Sequence, residues 1–168
     1  PCTLPAIESQ LRQGAHVLHL VAHGVSNGHR AGLLLEADDR RPLIIFGDEF
    51  ASMIGRVTNN QASSLRLVFL DSCHSASAIY VDALHSVAVE TVRSGAAAVL
   101  AMQGAITAQS GQAFTAAFYA NLLQHGLVDL ASNQARSDIL SQRRKDAFLP
   151  VLFMRLPDGA LFQHGATS

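Results

Sequence analysis

The sequence predicts a single α/β domain, a three-layer sandwich in which helices cover both faces of a mostly parallel sheet. Three observations carry that prediction. Apolar runs at 16–22, 65–70 and 96–102 have the length and continuity of strands buried on both faces. Longer segments with helical spacing separate them, and that alternation is the pattern of a parallel sheet with crossover helices. The chain has 168 residues, 49% of them apolar and 15% charged, enough to bury one sizeable core.

Taken in order, segment 4–13 reads as a short helix stopped by Gly14. The strand 16–22 follows and ends at His23-Gly24. Segment 25–31, with Ser26-Asn27-Gly28, reads as a loop beside that histidine. Leu33-Leu34-Leu35 and Leu43-Ile44-Ile45 flank Asp38-Asp39-Arg40-Arg41-Pro42, a small hairpin standing off the main sheet. Asp48 is expected to cap a helix through Ile54. After a loop at 61–64 comes the strand 65–70, which delivers Asp71-Ser72-Cys73-His74-Ser75. Segment 77–93 has helical spacing and stops at Ser94-Gly95, and 96–102 is the next buried strand. Helices are predicted near 107–124 and 128–141. A last strand over 148–156 contains Pro150, which suits a strand start or a sheet edge.

The formal net charge of −1 leaves no electrostatic footprint for nucleic acid. The one basic cluster, Arg143-Arg144-Lys145, reads as a solvated turn. No apolar span is long enough for a membrane helix. The eight histidines form neither a CxxC nor an HExxH pattern, so neither a metal nor any other cofactor is expected. Two cysteines, Cys2 and Cys73, and no signal peptide point to a reducing, cytoplasmic setting without a disulfide. The start at Pro1 and the small number of strands suggest one domain of a longer multidomain protein, lacking the first strand or strands of its sheet.

The chemistry is concentrated at the carboxyl ends of two strands, where parallel α/β folds place their sites. His23 leaves one strand and Cys73 the other, fifty positions on, the raw material of a nucleophilic cysteine site. The thiolate is the reactive form of cysteine, and a nearby imidazole can favour or exploit it. Gly24 allows a substrate carbonyl close to the backbone. Its N–H and that of Cys73 would then form an oxyanion hole. The alternative is a buried, inert Cys73 and a hydrogen-bonded turn histidine at position 23.

The His23-Gly24 pair after a hydrophobic strand and the Asp71-Ser72-Cys73-His74-Ser75 box resemble the caspase–hemoglobinase fold of the clan CD cysteine peptidases. The rest of the chain is similar to the CHAT branch of that group. Its small-residue strand after a glycine is matched at Gly95-Ala96-Ala97-Ala98-Val99-Leu100-Ala101-Met102-Gln103, and its Phe-Tyr helix at Phe118-Tyr119. The later helix fits through Ala135-Arg136, and the closing strand fits at 149–155. This resemblance implies that His23 and Cys73 are a catalytic dyad acting on a protein or peptide substrate. It also implies control by regulatory domains or a partner protein that senses a signal.

Asp71 lies two positions before Cys73 and so on the same face of an extended strand. It has two readings. One is a pocket carboxylate that selects Arg or Lys before the cut, as the resemblance to metacaspase-like boxes implies and as charge-assisted hydrogen bonding would favour. The other is a cap for the following turn. Gln103 and Gly104 are candidates to bind an extended peptide by strand addition. Ala76 stands where many relatives have Gly. His74 and His19 read as structural, His19 as a satisfied core histidine. Two functions remain open: a regulated cysteine endopeptidase, or a non-catalytic interaction module with the same fold.

Overall fold

In the computed structural model, residues 2–60, 63–71, 81–104 and 106–162 are described. The chain opens with helix α1 (Leu4–Arg12), capped by Thr3, whose Oγ1 accepts the Ala6 N–H at 3.2 Å. Strand β1 (Val17–Val21) follows, then β2 (His23–Ser26), β3 (Ala31–Glu36) and β4 (Pro42–Phe46). Next come helix α2 (Gly47–Thr58), β5 (Leu67–Asp71), α3 (Val81–Arg93) and β6 (Ala98–Met102). Helices α4 (Ala108–His125) and α5 (Val128–Ser141) precede the last strand, β7 (Pro150–Met154).

The main sheet has the order β1-β5-β6-β7. Its first three strands are parallel and β7 is antiparallel. Strand alternation divides its side chains between two cores. Val68 and Leu70 of β5 face α1, α2 and α3, with Phe50, Met53, Ile54 and Val87. Leu67 and Phe69 face α4 and α5, with Phe114, Phe118, Ala135 and Ile139. Helices therefore cover both faces, and the predicted three-layer sandwich is the architecture of the chain. The antiparallel β7 at one edge begins at Pro150, where proline's missing N–H is least costly.

Two local expectations are corrected. Segment 25–31 is not wholly a loop: His23–Ser26 form β2 and pair with β3, so the predicted hairpin is a three-stranded antiparallel sheet. The loop residues shrink to a tight turn, in which Asn27 Oδ1 accepts the N–H groups of His29 and Arg30. Asp48 is not the cap of α2. Phe46 holds that position, and its N–H is donated to Glu49 Oε2 at 3.2 Å. Asp48 lies in the first turn, where a negative charge suits the helix dipole, and pairs with Arg30. The helix runs on to Thr58 rather than Ile54 because Phe50, Met53, Ile54 and Val57 keep one continuous buried stripe.

Candidate active site

Strands β1 and β5 are paired in register, with Val21 opposite Asp71. A hydrogen bond from the Ala22 N–H to the Asp71 carbonyl, 3.0 Å, carries the ladder one residue further. Beyond it β1 passes through Ala22 into β2 and reaches His23, while β5 ends at Asp71. Residues 72–76, and with them Cys73, His74, Ser75 and Ala76, lie outside the described residues. The described part of the site is therefore its histidine and carboxylate side.

His23 is exposed at the start of β2, opposite Leu34 on β3. Its ring has no hydrogen bond to any described residue. Gly24 is buried opposite Leu33. Asn27 and Arg30 close the turn with a hydrogen bond, and antiparallel pairs alternate between bonded and non-bonded. Counting back from that pair makes Gly24 a non-bonded position, so its N–H is turned away from β3.

Asp71 faces the α4 layer. It forms one wall of a cavity of about 430 Å³, with His19 and Val21 of β1, Ile106 and Thr107, and the first turns of α4. The walls are mostly apolar; among the described residues Asp71 is the only carboxylate that lines the cavity, and no Lys or Arg does. His19 Nε2 stands 3.9 Å from Asp71 Oδ2. The other ring nitrogen, Nδ1, is 3.2 Å from the hydroxyl of Tyr119 on α4. Burial, and then the charge on Asp71, pushes the Tyr119 phenol up to about 12, so it keeps its proton throughout the neutral range. Against buried Phe69 the imidazole stacks face to face, 4.3 Å between centroids and 6° between planes.

The turn after β6 is tied to the segment that leads into β7. Strand β6 lies between β5 and β7, so neither edge is open to an added strand. The Gln103 N–H is donated to the Leu149 carbonyl at 2.7 Å, which removes it as a donor to an extended peptide. The Gln103 side chain bonds instead to His85 on α3. Gly104 is buried, and a side chain there would press on Leu149. Cys2 is an exposed free thiol. Among the described residues no cluster of His, Cys, Asp and Glu could hold a metal ion, and no helix is long and apolar enough to cross a membrane.

Two cavity residues were missed in the sequence. His19 was read as a core histidine, although strand parity with Val21 and, across the ladder, with Asp71 puts it on the cavity wall. Tyr119 lies 100 positions from His19, and no local pattern ties the two together.

An α/β sandwich with a histidine strand and a carboxylate strand side by side at the carboxyl edge defines the class of fold. The family follows from the sequence as a whole: a CHAT domain model matches residues 1–164, and the chain belongs to the CHAT domain family. CHAT domains are caspase-like, a family compatible with peptidase-like and interaction roles. No curated protein matches the chain.

Proposed function

We propose that this domain is a cysteine endopeptidase that cuts a protein substrate through His23 and Cys73, with preference for Arg or Lys before the cut. The observation that carries this reading is the unbalanced carboxylate of Asp71. It lines an apolar-walled cavity at the ends of the two strands that lead to His23 and Cys73, and no Lys or Arg among the described residues balances it there. A cavity of about 430 Å³ accommodates one long side chain. An aliphatic stem would lie along Val21, Ile106 and Ala108, and its cationic head would meet Asp71.

In this mechanism the Cys73 thiolate attacks the scissile carbonyl, and the negative charge that develops on oxygen is met by the N–H groups of Gly24 and Cys73. The tetrahedral intermediate expels the amine, which takes a proton from His23, and leaves a thioester on Cys73. His23 then takes a proton from water as it attacks the thioester, which releases the new carboxylate and the thiol. The chemistry needs a reduced thiol and so a reducing compartment, the cytoplasm in our reading. Control falls to regulatory domains or a signal-sensing partner, acting on the segments around His23 and Cys73.

The test combines a peptide electrophile bearing Arg with fluorogenic peptides that vary at the residue before the cut, with and without candidate activators. Labelling of Cys73 and cleavage after Arg or Lys, both lost in Cys73→Ala and in His23→Ala, are expected. Cleavage after other residues would keep the dyad and remove the acidic pocket. Absence of both labelling and cleavage under every activating condition would turn the assignment to the interaction module.

A further inference from the structure

Asp71 does not meet the cavity alone, because His19 stands beside it in a fixed orientation. Three contacts hold the ring: the stack on Phe69, the hydroxyl of Tyr119 at Nδ1, and the backbone ladder of β1 with β5. The carboxylate 3.9 Å from Nε2 selects the tautomer. A lone pair at Nε2 facing a carboxylate would be repelled, so Nε2 carries the hydrogen and Nδ1 accepts from the Tyr119 hydroxyl. In this state the imidazole is neutral and the cavity has one net negative charge. A second proton, taken at Nδ1 as the Tyr119 hydroxyl turns to accept, makes the ring cationic and cancels that charge. The side chains of His19 and Asp71 are only 28% and 18% exposed, so solvent screens the exchange incompletely.

We propose that His19, positioned by Tyr119 and Phe69, determines specificity by setting the net charge of the Asp71 cavity, which admits a guanidinium or ammonium group when His19 is neutral and disfavours it when His19 is protonated. This rests on the reading of Asp71 as the pocket carboxylate. Among the described residues the titratable groups facing His19 are Asp71 from β5 and Tyr119 from α4, and the remaining wall residues of the cavity are uncharged. The substrate's cation and the His19 proton then compete for the same carboxylate. By linkage each weakens the other to the same extent, on the order of tenfold for a coupling of ordinary size.

The test measures binding rather than turnover, so it is independent of the peptidase reaction. Ethylguanidinium serves as the probe and ethylurea as its uncharged counterpart, titrated into the wild-type chain at pH 8 and pH 5.5. Ethylguanidinium is expected to bind roughly tenfold more weakly at pH 5.5, and ethylurea equally at both. His19→Gln should bind ethylguanidinium with one affinity at both pH values. Should that variant misfold, His19→Asn gives the same readout. Equal affinity of the wild type at the two pH values, no binding at either, or a pH dependence retained in the folded His19 variant would each overturn the inference. Loss of the peptidase assignment would show separately, as a Cys73 that neither labels nor turns over while the pH-dependent binding remains.

Discussion

Replacing Asp71 with Asn tests the cavity most directly, because the change removes a charge and almost no volume. The fold should tolerate it. The ladder contact of Asp71 runs through its carbonyl, which accepts the Ala22 N–H, and the substitution leaves that bond in place. What is lost is the charged partner of a basic side chain. Hydrogen bonds to charged groups contribute about 1.5–3 kcal/mol. With about 1.36 kcal/mol for each factor of ten, that is roughly 10- to 150-fold in kcat/KM. The partial burial of Asp71, 18% exposed, argues against the low end. The assay compares kcat/KM for matched peptides with Arg, Lys or Gln before the cut, in wild type and Asp71→Asn. The Arg and Lys peptides should lose that factor, while the Gln peptide changes by less than about threefold, since an amide can still bond to an amide. An equal loss for all three would mean that the carboxylate shapes the strand end rather than the choice of substrate. An unchanged Arg peptide would remove Asp71 from the pocket.

Three predictions concern the scaffold. Gly126 ends α4 at φ +73°, and a Cβ there would meet the Phe162 carbonyl oxygen, whereas Gly28 at φ +85° faces open space. Gly126→Ala should therefore cost about 2 kcal/mol or more in chemical unfolding and Gly28→Ala only about 1, the left-handed backbone penalty alone; equal costs would refute the contact. Glu8 lies between Arg12 and Arg56, and its hydrogen bonds to Arg56 and then Arg12 lower its pKa to about 2. Its contribution is present above the ordinary value near 4.5 and is lost as pH falls toward 2, so Glu8→Gln should cost about 0.5–1 kcal/mol at pH 7, less in high salt, and nothing near pH 2. Glu90 is the opposite case, because burial and then the charge of Asp48 raise its pKa, and its Oε2 is buried without a hydrogen-bond partner among the described residues. Its stabilising, protonated form persists in acid and is lost as pH rises through the raised value, so Glu90→Gln should shift the urea midpoint upward at pH 8 and converge with wild type near pH 4.

The layered fold was legible because its two central strands, β5 and β6, are buried on both faces and therefore apolar along nearly their whole length. The runs 65–70 and 96–102 contain almost no polar residue to confuse them with helices. Strand β2 was not legible. It carries His23, Gly24 and Ser26 on the rim of the site, and its pairing with β3 depends on register rather than on composition. The capping of α2 was misassigned for a related reason. An Asp in front of an apolar periodicity reads as a cap, but the Phe46 N–H is donated to Glu49 instead, and Asp48 lies within the first turn and pairs with Arg30 at the surface. The engagement of the Gln103 N–H was not legible because its bond to Leu149 depends on β7 turning back antiparallel, a long-range pairing without a local signal.

The cavity itself follows from how α4 covers the sheet. Further along the helix, Phe114 and Phe118 fill the space over Phe69 completely. Near its start the residues facing the sheet edge are small, Ala108, Gly111, Thr115 and Ala116, so the ends of β1 and β5 are left with a hollow over them rather than a packed core. The same helix can thus be tightly packed over most of its length and open at its first turns, and the division falls where Val21 and Asp71 end their ladder. Selectivity in this arrangement is set by which two side chains the hollow exposes. Parallel pairing places His19, Val21 and Asp71 on one face, with Val21 two residues before His23 and Asp71 two residues before Cys73. Tyr119 then reaches the ring from the next turn of the helix. A pocket made this way binds its charge to the strand register itself, so a slip of one residue would turn His19 (for β1) or Asp71 (for β5) to the opposite face and abolish the site along with the packing of that strand.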